Sequence, residues 1–399
     1  MKVLLLSDAT MSANAGGIYQ TLYNLFSFFP AEDILCIAPE SEVIANPPPE
    51  QLLPKYLTYK FEILKTPRNR LARYIRPFND WFNYSYNNKF RKFRKAKKAI
   101  LEFDPDVVVS CSNGTIGAFM HHKLLKGSNI KNVIPYFMDD WMRTSKLSWL
   151  GGNIRQSIKE ILTNKSWIMI SDELSDILKK RYDVYPQRIL VAHNPVDLSN
   201  APIATPLVKK EAYTLAYAGA LWPMHFDSFN IVAKSVFKLK STIDVNLILY
   251  SAQNFWDWRK PEIEPLGVIY GGSIPYNNIH QKLSEADALI VCSSFSEEWH
   301  THSEGSIQTK ITDYLKSKRL IISCGPSYSA NHNFIKKYKC GICIETDDVA
   351  VVEKTLKEIL TNIEDYNELI DNGWQLLERE YTFDKVHEKL NYFLLDSIN

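Results

Sequence analysis

No apolar run in this chain approaches the ~20 residues that a membrane-spanning helix needs. The opening stretch MKVLLLSD carries one Lys and a four-residue apolar run, far short of the hydrophobic region of a signal peptide. Both absences point to a cytoplasmic protein. Cysteine is sparse: Cys36, Cys111, Cys292, Cys324, Cys340 and Cys343. Most of these lie in or beside apolar strand-like runs, where a free Cys acts as a small hydrophobe, so a reducing compartment is expected. Cys340 and Cys343 have the spacing of a redox pair or half a zinc site. The chain lacks a second Cys pair and a neighbouring His to complete one, which leaves a structural strand as the reading. There is no Gly-x-Gly-x-x-Gly fingerprint, no internal repeat, and no low-complexity tract beyond the prolines at 47–49. Net charge is only +2.

What remains is an ordinary soluble composition, 45% hydrophobic and 23% charged over 399 residues, enough for two domains or three. Residues 2–8 read as a buried strand, followed by a loop with Gly16-Gly17 and a helix-like run. This is the first half of a βαβ unit. Further strands are read at 34–38, 105–112, 132–141 and 166–170, with a helix start of capping character at Ser171-Asp172-Glu173. Residues 198–212 lack periodicity and carry two prolines, which reads as a linker. The alternation then restarts, with strands at 214–219, 245–251, 265–272, 287–294, 319–325 and 340–346, and the chain closes on a helical stretch. Continuous apolar strands alternating with helices imply parallel sheets covered on both faces. Two rounds of the pattern imply two doubly wound α/β domains with a cleft between them, where ligands bind beyond the carboxyl ends of strands.

The charge is unevenly spread. Residues 68–98 hold eleven Lys/Arg against one acid, Asp80, with eight aromatics interleaved. That combination suits an anionic membrane surface, where rings sit at headgroup level beside Lys and Arg. Arg91, Lys92, Arg94 and Lys95 are the densest part. RNA binding and a plain solvated helix share the composition; the membrane surface is preferred, and no nucleic acid is expected.

Candidate site residues follow the strand ends. Gly16-Gly17 sits before a helix, where free N–H groups attract anions and glycine lets a ligand approach. A plain tight turn is the bland alternative. Asp139 and Asp140 follow the strand VIPYF and are placed to orient sugar hydroxyls or act as a base, unless they are loop and cap carboxylates. Gly219 ends another strand, with His225 near the next helix start, to donate to phosphate or simply to pack. Glu297, Glu298, Glu304, His300 and His302 crowd the loop after 287–294, but a third metal ligand at readable spacing is lacking. Beyond them Lys310 and Asp313 lie three apart on a helix-like run. An ammonium beside a helix start suits a phosphate, and a carboxylate one turn on suits a diol. Together these describe a nucleotide. The rival is an exposed ion pair worth roughly 0.2–0.5 kcal/mol.

These motifs together resemble the GT-B glycosyltransferases, most closely family 4. The resemblance is carried by Gly16-Gly17, MDDW at 138–141, ISDELSDIL at 170–178 and HNPVD at 193–197 in the first half. In the second half it is carried by YAGAL at 217–221, EADALIVCSS at 285–294, TKITDYLKSKRLIIS at 309–323 and EREYTFD at 378–384. The TKITDYL stretch is similar to the K-x-x-E-Y-L helix of one branch. The resemblance implies two Rossmann-like domains: 1–200 on the acceptor side, 201–378 binding the nucleotide sugar, and a helix at 379–399 crossing back to the first. It also implies that Asp313 binds ribose, that Lys310 faces the diphosphate, and that Glu304 lies near the donor sugar. Gly16-Gly17 would border the phosphates and acceptor, and Asp139 or Asp140 would face the transferred sugar. No metal or other cofactor is implied. Three stretches depart from the family pattern. Ala220 and His225 stand where many relatives carry Arg and Lys, Gly305 breaks the E-x7-E spacing, and Ser317-Lys318-Arg319-Leu320 replaces the G-K-P turn.

The expected activity is transfer of a hexose from a nucleoside-diphosphate donor to a lipid-linked or surface-glycan acceptor. Retention of configuration and a peripheral place at the inner membrane face are expected. The rivals are a degenerate GT-B subunit that docks another transferase, and a GT-B epimerase.

Overall fold

The computed structural model describes residues 1–13, 17–62, 64, 72–90, 93–112, 114–128, 130–140 and 151–398. Gly16, Arg91 and Lys92 lie outside the described residues, as do parts of the basic stretch and residues 141–150. The chain forms two compact units, one of residues 1–192 with 387–399, the other of residues 193–386.

In the first unit the described strands are β1 (Val3–Ser7), β2 (Ile34–Pro39), β3 (Tyr56–Tyr59), β4 (Val107–Cys111), β5 (Val133–Phe137), β6 (Ser166–Met169) and β7 (Arg188–Val191). They form one sheet in the order β3-β2-β1-β4-β5-β6-β7, every pairing parallel. β1 and β4 are buried along their whole length. Side chains that alternate across a pleat and are apolar on both faces need cover on both. Burying each such Val, Leu or Ile contributes about 1.5–3 kcal/mol against the entropy of ordering it. The predicted cap is present: Ser171 Oγ accepts from Leu174 N at 3.0 Å and starts the helix Asp172–Tyr182.

The second unit repeats the plan with β8 (Ala212–Ala218), β9 (Asp244–Tyr250), β10 (Val268–Gly272), β11 (Ala288–Cys292), β12 (Leu320–Cys324) and β13 (Ile342–Ile344). Their order is β10-β9-β8-β11-β12-β13, again all parallel. The strand order reverses between β1 and β4 in the first sheet and between β8 and β11 in the second. Such switch points leave an opening beyond the strands' carboxyl ends.

Two features differ from the sequence reading. β3 was not foreseen; it is a short edge strand paired only with β2, and its side chains are mostly half-exposed or exposed. The stretch read as a linker is tied down within the second unit. Leu207 is buried and donates its N–H to Asn367 Oδ1 at 2.8 Å, and Arg319 Nη1 donates to Thr205 O at 2.7 Å. The last helix, Phe383–Asp396, begins in the second unit and ends in the first. There Arg188 pairs with Asp396, and His387 Nε2 lies 2.6 Å from Asn24 O.

Candidate active site

The second sheet's switch point is built from the ends of β8 and β11 and the short helix Lys310–Lys316. Tyr314 staples this helix to β8, since its hydroxyl accepts from Ala218 N at 2.8 Å. That staple carries Lys310 over the strand end. Its Nζ lies 3.7 Å from the centroid of the Tyr217 ring. Gly219 follows with φ +127°, a conformation suited to glycine, and a Cβ there would stand 3.0 Å from Lys310 Nζ. Gly219 therefore both turns the chain and makes room for the ammonium.

Lys310 Nζ is buried and has no hydrogen-bond partner among the described residues. Burial favours the neutral amine and pushes its pKa down from 10.5 to about 7. The exposed Lys310–Asp313 ion pair that stood as the rival reading does not form. Asp313 Oδ1 instead takes His280 Nε2 at 2.9 Å and the Tyr276 hydroxyl at 3.2 Å, with 16% of its side chain exposed. The helix is only seven residues long, so positive charge at this point comes from Lys310 itself more than from the helix.

His225 sits beside Lys310, with Nδ1 3.1 Å from Cys292 O. A carbonyl only accepts, so Nδ1 carries the proton. Burial, Lys310 and His302 hold the ring's pKa well below the usual 6.5. The neutral ring then offers an acceptor at Nε2, not the donor to phosphate that the sequence suggested. His225, Ser293, His302, Ser306, Gln308 and Asn331 line a small recess here. Thr301 Oγ1, Ser306 Oγ and Gln308 Oε1 are, like Lys310 Nζ, buried without a partner among the described residues. Orphaned buried polar atoms are costly in a folded chain, and four of them fall within ten residues of sequence here. Asp227 fixes the loop after β11: its Oδ2 accepts from Ser294 Oγ at 2.7 Å and Phe295 N at 2.8 Å. Glu304 is 40% exposed, 3.7 Å from His300 Nε2.

The first unit divides the acidic pair. Asp140 is buried and bound by both Arg181 nitrogens, with Nη2 to Oδ2 at 2.8 Å. Its carboxylate anchors the helix Asp172–Tyr182 to the end of β5. Asp139 is half-buried. Gly17 opens its helix at φ +54°, and Arg94 and Lys95 are exposed. No cluster of His, Cys, Asp and Glu among the described residues could hold a metal ion. The six cysteines are free thiols. Sequence reading missed Gln308 and Ser306, which are neutral and have no titratable signature. It also missed Asp8, a single acid at the end of β1.

The fold defines the class: the chain has the GT-B fold, two parallel α/β units that solved structures match over nearly its whole length. Anabaena HepE in complex with UDP has a TM-score of 0.69 at 10% identity, covering 99% of this chain and 100% of that one. Sucrose-phosphate synthase from Thermosynechococcus elongatus has a TM-score of 0.66 at 11% identity, covering 99% of both chains. The lipopolysaccharide outer core galactosyltransferase WaaB has a TM-score of 0.62 at 15% identity, again covering 99% of both. Residues 40–200 match the family described as Glycosyltransferase Family 4, which bears out the resemblance to that family; the K-x-x-E-Y-L motif lies outside the match. No curated protein sequence matches the chain.

Proposed function

We propose that this protein is a hexosyltransferase that moves a sugar from a nucleoside diphosphate to a lipid-linked or surface-glycan acceptor, with retention of configuration. The observation that carries this is Lys310: a buried, unpartnered amine at the second sheet's switch point, with a carboxylate one helical turn away. A diphosphate supplies the partner that Lys310 lacks, and the ribose diol meets Asp313. Developing charge on the leaving diphosphate is then met by a cation fixed before the reaction. In this reading no resident metal is called for. HepE, of the same fold, was crystallised with UDP and with UDP-glucose, which supports a uridine donor as the first to try. Because Asp140 is committed to Arg181, the residue facing the transferred sugar is assigned to Asp139.

The acceptor side is assigned to the first unit, and the surface there supports a membrane-held acceptor. On the helix Ala72–Lys89 and just beyond it, Ile75, Phe78, Trp81 and Phe90 are exposed hydrophobics. Lys89, Arg94, Lys95 and Lys98 are exposed beside them. Among the described residues no helix is long and apolar enough to cross a membrane, so the proposed attachment is peripheral.

The test is a thermal-shift screen of UDP-, GDP- and dTDP-sugars, followed by donor hydrolysis. Stabilisation by one donor and release of its nucleotide are expected. A chain that no nucleotide sugar stabilises is not a transferase of this kind.

A further inference from the structure

The first sheet has its own switch point, between β1 and β4, and one carboxylate occupies it. Asp8 directly follows β1, with Ser112, directly after β4, placing Oγ 3.2 Å from its Oδ2. The helix Thr115–Leu125 packs against it. A Cβ on Gly117 would fall 2.1 Å from Asp8 Oδ2, so the first turn of this helix is cut away to admit the carboxylate. A turn later stands His121, fully buried, its Nε2 3.6 Å from Asp8 Oδ1 and its Nδ1 2.9 Å from Ser110 Oγ. Burial pushes His121 down to about 3, so the ring is neutral at physiological pH and carries one N–H. With the Ser110 hydroxyl donating to Nδ1, that N–H lies on Nε2, turned toward Asp8. The side chain keeps 17% of its surface open.

The fold is shaped around this carboxylate by a missing side chain at Gly117, a serine, and a buried imidazole held by a second serine. Asp8 also lies where doubly wound sheets receive ligands. Its charge helps to raise the pKa of Tyr59 on β3 and of Cys111 on β4, behind burial in both cases. The phenol and thiol therefore stay protonated, with Glu42 adding to the effect at Tyr59 and Asp139 at Cys111.

We infer that Asp8 receives a hydroxyl of the sugar acceptor and orients it for transfer, with His121, Ser112 and the gap at Gly117 holding the carboxylate in place. This rests on the transferase reading above and adds the residue that recognises the second substrate. A carboxylate oxygen accepts hydrogen bonds, and 17% of this side chain is open to solvent, which suits a hydroxyl better than a phosphate. Asp8 binds and orients the nucleophile; His121 is a positioning residue.

The full chain is assayed with a nucleotide sugar, UDP-glucose first and then the rest of the panel. Water and glycerol serve as nucleophiles, and donor affinity is measured separately by calorimetry. Asp8→Asn keeps the shape and removes the charge. It is expected to bind donor within twofold of wild type while hydrolysis and transfer to glycerol fall at least tenfold. Gly117→Ala leaves every polar group in place but displaces the carboxylate, and should show the same split between affinity and turnover. Adding Gly117→Ala to Asp8→Ala should cost nothing further, because the clash has gone. Asp8→Asn and Gly117→Ala both turning over at the wild-type rate would overturn the inference and leave the donor site standing. If Asp8→Asn does not fold, Gly117→Ala alone decides. A wild-type chain that binds no donor, or binds and cleaves none, overturns the transferase reading and this inference with it.

Discussion

The Lys310 ammonium lies over the Tyr217 ring, 3.7 Å from its centroid, and finds no hydrogen-bond acceptor there among the described residues. A ring face attracts a cation, but less than an anion would in the same buried place. The side chain is thus held ready by the fold at a cost to the free protein.

Lys310→Met should separate stability from binding. The thioether fills similar space and leaves no buried charge, so the melting temperature should hold or rise. Loss of a charge-assisted contact of about 1.5–3 kcal/mol should weaken the donor roughly ten- to hundredfold. Donor affinity unchanged in calorimetry would remove Lys310 from the site.

The pH dependence follows from the same amine. Its folded value of about 7 lies below the ordinary 10.5, so the unfolded chain binds more protons between those limits. Stability of the free protein should therefore rise with pH across that window, and the penalty should be complete below it. A bound diphosphate restores the preference for the ammonium. Binding above pH 7 should take up a proton, and affinity should fall as pH climbs, by at most about tenfold per unit. Calorimetry in buffers of different ionisation enthalpy reads the proton directly. A flat profile in wild type would contradict the burial of this amine.

Asp313 offers a test of ribose recognition. Asp313→Ala takes away the carboxylate that His280 and Tyr276 contact and, with it, the proposed diol acceptor. Wild type should prefer UDP to its 2′-deoxy analogue, and the variant should bind both alike. A preference that survives the substitution would place the ribose elsewhere.

The Arg181–Asp140 pair should behave as structure. Arg181→Met removes the charge partner of a carboxylate with no exposed surface and should cost about 3–5 kcal/mol in denaturant unfolding. A loss below 1 kcal/mol would reopen Asp140 as a reacting group.

Membrane docking is tested on phosphatidylserine vesicles. Neutralising Arg91, Lys92, Arg94 and Lys95 should weaken binding at least tenfold, since each basic residue near such a surface contributes about 1 kcal/mol. Phe78→Ser with Trp81→Ser should weaken it again at high salt, where the electrostatic part is screened. Sedimentation with vesicles that is equal for all variants would leave this helix as a solvated surface.

Sequence alone determined the double βαβ plan, because a strand buried on both faces must be apolar at every position, and such runs stand out. It also marked Gly219, Lys310 and Asp313, because strand ends and helix starts can be read locally. It did not reveal β3, whose edge position asks for no apolar run. Nor could it end the first unit at residue 192, since the contacts that bind the following loop to the second unit come from Asn367 and Arg319, far along the chain. The roles within the sites were decided by tertiary structure. Asp139 and Asp140 are neighbours of one residue type, and the fold tells them apart by burying Asp140 against Arg181. Lys310 and Asp313 sit at ion-pair spacing, and Tyr217 on one side and His280 with Tyr276 on the other give them separate partners. Asp8 and Ser112 are 104 residues apart, and a parallel sheet that sets β1 beside β4 brings them within reach. Periodicity is written residue by residue; burial, charge and partnership depend on what the fold brings alongside.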